Sequence, residues 1–210
     1  MFDYQDYKNN FNITIIIYNL YLYLQFDFYS IMSNNQNIVE IYDNDGITPP
    51  HPESYYQDEN NEYVYISNLS QPSERDENLR MARFLAQKTK ENVYILPLIQ
   101  PTQKNAKSLR KDYFPEGVKE NKNPDFYFRG RFVDGKCMSK SELKTQKLTK
   151  RNIQNRLKEA YIQADDAFLK IPLNFPFKWI EEAVRGKLNS MSHFHIVYLE
   201  YGDNLFIFQP

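Results

Sequence analysis

The chain has 210 residues, a net charge of −1 and one cysteine, Cys137. That length suffices for one domain with a full core, while a single cysteine excludes an internal disulfide and a thiolate zinc site and fits a reducing, cytoplasmic setting. The near-neutral total hides an asymmetry: Lys104 to Lys158 holds 16 Lys+Arg against 6 Asp+Glu, and the remainder 10 against 21. A basic block of this kind suits a polyanionic partner, with phosphates the first choice. A solvated basic face beside an acidic remainder gives the same numbers.

Residues 1–31 differ from the rest, with 10 aromatics and one basic residue, Lys8. Their longest apolar run, Ile13 to Leu24, has 12 residues interrupted by Asn19. A membrane-spanning helix needs roughly 20, and the positive start and small-residue cleavage site of a secretory signal are missing. The reading is an upstream extension, with translation beginning at Met32 and no stable membrane association. A membrane-associating or signal-like segment is the competing reading. Residues 32–73 alternate short strand-like pieces (Ile38–Tyr42, Tyr63–Ile66) with the breakers Asp45-Gly46 and Pro49-Pro50-His51-Pro52. They read as an irregular N-terminal arm packed on a domain that spans 74–210.

Ser73 is a good helix N-cap, and Glu74, Asp76 and Glu77 load the first turn with negative charge. Leu79, Ala82, Leu85 and Ala86 give an apolar stripe at helical spacing, so a helix is predicted to about Lys90. Val93–Leu96 reads as a buried strand stopped by Pro97. Residues 100–123 are polar, basic and broken by Pro115 and Gly117, which predicts a long loop, uncommon in a compact domain without a purpose such as binding. Two aromatic-rich runs around Gly130, Phe126–Phe128 and Arg131–Val133, predict a hairpin in which glycine supplies the positive φ of a tight turn. A helix follows from about Thr149 to Ala164, with Ile153, Leu157, Ala160 and Ala164 as its buried stripe. Then come a strand at Ala167–Ile171, a helix from Phe175 to Lys187, and a closing hairpin, His193–Tyr201 with Leu205–Phe208. This alternation predicts an α/β fold: a mixed sheet with flanking helices.

The hairpin carries chemistry at its ends. One strand opens with Pro124-Asp125 and the other closes with Asp134-Gly135-Lys136. Asp134 and Lys136 are two apart, so a regular strand aims both the same way. Asp125 and Asp134 offer hard oxygen ligands to a Mg²⁺-type ion. Lys136 beside them suits the orientation of an attacking water and the stabilisation of a pentavalent phosphorus. Ordinary readings stand next to these. An Asp after Pro is a common strand-opening or turn residue, and Asp-Gly is a turn dipeptide. If Gly135 ended or bulged the strand, Lys136 would point elsewhere. Cys137 reads as a small apolar strand residue facing away from Lys136.

The Pro124-Asp125 and Asp134-Gly135-Lys136 pair, set in a helix–strand–strand–strand–helix–strand order, resembles the PD-(D/E)xK nuclease core. From about Ser73 to Pro210 the chain more narrowly resembles the C-terminal tRNase toxin domain of contact-dependent growth inhibition (CdiA-type) proteins and free-standing relatives on mobile elements. The helix followed by VYILP, the stretch NPDFYFRGRFVDGK, the helix ending in AYIQAD and the closing hairpin carry that likeness. It implies a metal-dependent RNA endonuclease acting on tRNA, with Asp125, Asp134 and Lys136 catalytic and the two aspartates holding a divalent cation such as Mg²⁺. It also implies an acidic residue on the first helix, best matched by Glu77 and next by Glu74, a helix glutamine matched by Gln163, and an immunity protein as partner. Lys150 is a phosphate-contact candidate. A first-turn Glu is also an ordinary dipole partner, and a helix Gln an ordinary surface residue.

His193 and His195 share one strand face at i, i+2. They suit metal ligands, the acid and base of a metal-independent ribonuclease of the barnase or EndoU-like kind, or a half-buried structural pair. A non-catalytic nucleic-acid or protein-binding module on the same fold is the remaining alternative.

Overall fold

The computed structural model describes residues 49–210 except 71, 115–117, 119–121, 140, 142–144 and 192–193, all within the compact unit Asn44–Pro210. The expected extension over 1–31, the start at Met32, the strand-like Ile38–Tyr42 and His193 lie outside the described residues. So do the side chains that precede Asp76 in the first helix, Glu74 among them.

The fold is α/β, as the alternation of elements predicts. In chain order the elements are β1 (Tyr55–Asp58), β2 (Asn61–Ser67), α1 (Pro72–Thr89), β3 (Val93–Ile95), α2 (Ala106–Tyr113), β4 (Phe126–Phe128), β5 (Arg131–Cys137), α3 (Gln146–Tyr161), β6 (Asp166–Ile171), α4 (Phe177–Leu188), β7 (Ile196–Tyr201) and β8 (Asn204–Phe208). The eight strands form one mixed sheet in sequence order. Its parallel neighbours are β2–β3, β5–β6 and β6–β7. Each of these pairs is joined through a helix, α1, α3 and α4 respectively, because parallel strands need a crossover.

Each face of the sheet has its own core. On one face, α1 sets Met81, Ala82, Leu85 and Ala86 against Phe126, Phe128, Val133, Phe168 and Tyr198. On the other, Tyr94, Tyr127 and Phe132 pack with Tyr113 and Phe114 from α2 and its end. The strand period of two explains the split: Phe126 and Phe128 go one way and Tyr127 the other. Burying side chains of this size contributes roughly 1.5–3 kcal/mol each. In α3, Ile153, Leu157, Ala160 and the following Ala164 are buried as their spacing predicts.

The β4–β5 turn is a two-residue reversal in which both Arg129 and Gly130 have positive φ, 51° and 76°. That twist matches the right-handed strands on either side. Arg129 is the costly half, as a residue with a Cβ. Glu91 holds it with a two-pronged pair at 2.8 and 2.6 Å.

Four expectations need correction. Residues 55–67 are no arm laid on the domain: β1 is an edge strand of the sheet and β2 its inner neighbour, parallel to β3. Arg83 of α1 clamps β1 with two hydrogen bonds of 2.7 Å to Asp58. The predicted loop over 100–123 contains α2, which buries Ala106 and Tyr113. Helix α3 ends at Tyr161, so Gln163 lies in the turn beyond it. Helix α1 starts two residues early, at Pro72, which puts Ser73 inside it; proline is favoured at a first helical position because its missing N–H would be unpaired anyway.

Candidate functional site

Strand β4 stops at Phe126, while its partner β5 runs on for four residues beyond the Phe126–Val133 pair, to Cys137. Over those four residues β5 pairs only with β6 among the strands. The free flank of β5 opens a cleft of about 410 Å³. Its walls come from α1 (Glu77, Asn78), the β4 approach (Asn123, Asp125), β5 (Asp134 to Cys137) and the α3 side (Arg156, Gln163).

Gly135 decides the geometry. Strand β5 passes through it without interruption, and its φ is not in the left-handed region, which among the described glycines only Gly130 and Gly202 occupy. Asp134 and Lys136 therefore share a face, the one that also carries Phe132, while Val133 and Cys137 face α1. Glycine is needed for a different reason: a Cβ there would lie 2.7 Å from Met81 Cε and 3.0 Å from a Phe126 ring carbon. The close approach of α1 to β5 demands it, and no turn does.

Asp125 is positioned from three directions. Its backbone carbonyl accepts from Leu96 N–H at 2.9 Å, and its N–H donates to Val133 O at 3.1 Å. Its carboxylate accepts from the Gly135 N–H through Oδ2 (2.7 Å) and from Asn78 Nδ2 through Oδ1 (3.0 Å). Upstream, Asn123 Oδ1 accepts from Arg110 (3.0 Å) and from Ile99 N–H (3.3 Å), which ties down the incoming chain.

Asp134 is 1% exposed. Burial, and then the negative charge of Asp125 beside it, push its carboxyl up to about 8 against the pull of Lys136. The Lys136 ammonium forms an ion pair with Asp134 Oδ2, but outside hydrogen-bond geometry, so this buried oxygen has no hydrogen-bond partner. Two crowded carboxylates, one of them buried with its Oδ2 met by the Lys136 ammonium, fit a hard divalent cation. Such an ion is commonly bound through one or two carboxylates, with water and substrate phosphate completing its shell. Among the described residues no group of three or more His, Cys, Asp or Glu side chains forms a metal cage, so the fit is to this open mode.

The cleft brings together Asp125, Asp134, Lys136, Glu77 and Gln163. Glu77 is exposed on α1 and lies against the Cys137 thiol, which burial first and then the Glu77 carboxylate push up to about 12. A thiol held so high is a poor nucleophile. Lys150 is not brought in. It pairs with Glu182 of α4 across the helix–helix contact, an exposed pair screened by solvent. Arg156 and Asn78 line the cleft instead and were not singled out in the sequence. Arg156 stands seven residues before Gln163 on the helix that the sequence predicts to Ala164, and that i, i+7 spacing was the available signal. His195 precedes β7, is exposed, and lies by Asp166 at the start of β6, outside the cleft lining.

No family model, curated protein or solved structure matches this chain. Among the described residues no helix is long and apolar enough to cross a membrane.

Proposed function

We propose that the cleft is the active centre of a metal-dependent phosphodiesterase acting on RNA, with tRNA the substrate class implied by the resemblance to the toxin domains, and with a PD-(D/E)xK-like core. The observation that carries this reading is the convergence of Asp125, Asp134 and Lys136 on the free flank of β5, where Asp134 Oδ2 is buried without a hydrogen bond.

Asp125 and Asp134 would hold the cation. When bound, a divalent cation supplies charge neutralisation at the phosphate and a nucleophile at neutral pH. The chain's own groups do the rest. The Gly135 N–H and Asn78 fix the direction of the Asp125 carboxylate before substrate arrives. Lys136 Nζ, set beside Asp134, stabilises the charge that develops on the phosphoryl oxygens as water oxygen bonds to phosphorus and the bond to the leaving oxygen breaks. Arg156 and Gln163 present a cation and an amide to the phosphate chain from the α3 side. The attacking water releases a proton to the surrounding solvent and the leaving oxygen takes one up from it, so the hydrolysis balances.

Incubation with total tRNA, with and without EDTA, tests the reading. Cleavage that needs Mg²⁺ and leaves ordinary phosphate ends supports it. Cleavage that resists EDTA and leaves 2′,3′-cyclic phosphates replaces it with a metal-independent ribonuclease. RNA binding without cleavage leaves a binding module on this fold.

A further inference from the structure

A second charged group lies against the cleft on the α1 side. In the sheet register Cys137 of β5 stands beside Lys170 of β6, and Lys170 beside Glu200 of β7. The three side chains share a face, at about 4.8 Å per strand. Arg80 of α1 bridges the row: it donates to Cys137 Sγ at 3.2 Å and stands 3.7 Å from Glu200 Oε1. The Lys170 ammonium pairs with the same Oε1. Two cations thus converge on one carboxylate oxygen.

The exposures are unequal. The Arg80 and Lys170 side chains are 45% and 32% exposed, whereas Glu200 beneath them is 7% exposed, with Oε2 buried and lacking a hydrogen bond. A buried tether that fixes two long, partly exposed cations removes much of the rotamer entropy they would otherwise lose on meeting a ligand. The acidic neighbours are Glu77, against Cys137, and Asp203, in the β7–β8 turn.

We propose that Arg80 and Lys170, held by Glu200, form a seat for a second backbone phosphate of the RNA strand that occupies the cleft. The inference rests on the reading of the cleft as a polynucleotide site. Cys137 lines the cleft and is one strand spacing from Lys170, so a chain with one phosphate at Lys136 passes over the free flank of β5 and sets a neighbouring phosphate on this seat. Arg156 lines the cleft from α3. Cations from α1, β6 and α3 hold more than one phosphate of a strand, which directs cleavage to internal linkages over chain ends.

Fluorescence anisotropy of an end-labelled single-stranded RNA, in EDTA and across a salt series, tests the seat without cleavage. The triple variant Arg80→Gln, Lys170→Gln, Glu200→Gln removes both cations together with their tether. It is expected to bind about tenfold more weakly and to lose about 0.7 from the magnitude of the log–log salt slope, the single-strand increment for one phosphate. Arg80→Glu alone is expected to weaken binding as much while still melting cooperatively, at a lower temperature because the new carboxylate faces buried Glu200. Lys178→Gln, an equal charge removal on exposed α4, is expected to leave affinity and slope unchanged. If the parent binds RNA and Arg80→Glu and the triple variant bind with the parent's affinity and slope, the seat is wrong and the cleft reading survives. If the parent does not bind RNA at any salt, both fail.

Discussion

The backbone N–H of Gly135 donates to Asp125 Oδ2 at 2.7 Å. This bond forms where β4 has ended, so a side chain supplies the acceptor for a β5 amide. It locks the two halves of the motif together: the carboxylate that opens the hairpin is held by the residue between Asp134 and Lys136. Orientation of the site and continuity of β5 are therefore the same structural fact.

Gly135→Ala keeps an allowed backbone but adds a Cβ 2.7 Å from Met81 Cε and 3.0 Å from Phe126. Met81 ends in a flexible thioether that can yield, whereas the Phe126 ring is packed in the core. A loss of about 1–3 kcal/mol is expected from overpacking. Denaturant melts of Gly135→Ala, Met81→Ala and the double variant check this. The double variant should recover at least about 0.5 kcal/mol relative to additivity, since the two residues touch.

Asn78→Ala removes the donor to Asp125 Oδ1. Stability should fall by only about 0.5–1.5 kcal/mol, the net contribution of one hydrogen bond. Activity should fall further, about tenfold or more, because the carboxylate loses its fixed direction. Single-turnover cleavage at saturating Mg²⁺ separates the two effects. Asn78→Asp, which keeps the shape and replaces the amide donor with a charge, should not restore the rate.

Glu200 gives a pH dependence. Burial pushes its carboxyl up to about 7 from an ordinary 4.5, with Arg80 pulling down and Asp203 pushing up, and Lys170 pairs with it directly. The folded protein holds this proton more tightly than the unfolded chain does. Its contribution to stability is therefore complete below about 4.5 and is lost as pH rises through about 7. The loss is at most about 3 kcal/mol. Melting temperatures across pH 4–8 should fall more steeply for the parent than for Glu200→Gln, which cannot titrate. Parallel curves would remove Glu200 as the cause.

The sequence made the centre legible because its parts are local. Asp125, Asp134 and Lys136 sit within 12 residues of one hairpin, and the period of two fixes which of them face together once β5 is continuous. Glu77 and Gln163 come from elements on either side and reach the same cleft. Lys150 did not, because a basic residue near a helix start is drawn to whatever acid faces it, here Glu182 on α4, and the α3–α4 packing cannot be read from either helix alone. Tyr63–Ile66 reads as strand-like, but its place in the sheet was hidden for a similar reason: β2 joins the sheet through β3, 29 residues further on at the Val64–Val93 pair. Helix α2 was masked by its charge. Four basic residues between Lys104 and Lys111 read as loop, although Ala106, Leu109 and Tyr113 carry the helical spacing that buries them or packs them on the Tyr94–Tyr127 core.

The measurement that bears most directly on the carboxylate pair and its lysine is the cleavage rate of labelled tRNA in Mg²⁺ by the parent, Asp134→Asn and Lys136→Met, each shown to melt cooperatively. The account predicts Mg²⁺-dependent cleavage by the parent and a loss of about 10²-fold or more in each variant, with Asp134→Asn no longer responding to added metal. Cleavage by both variants at the parent's rate would contradict it.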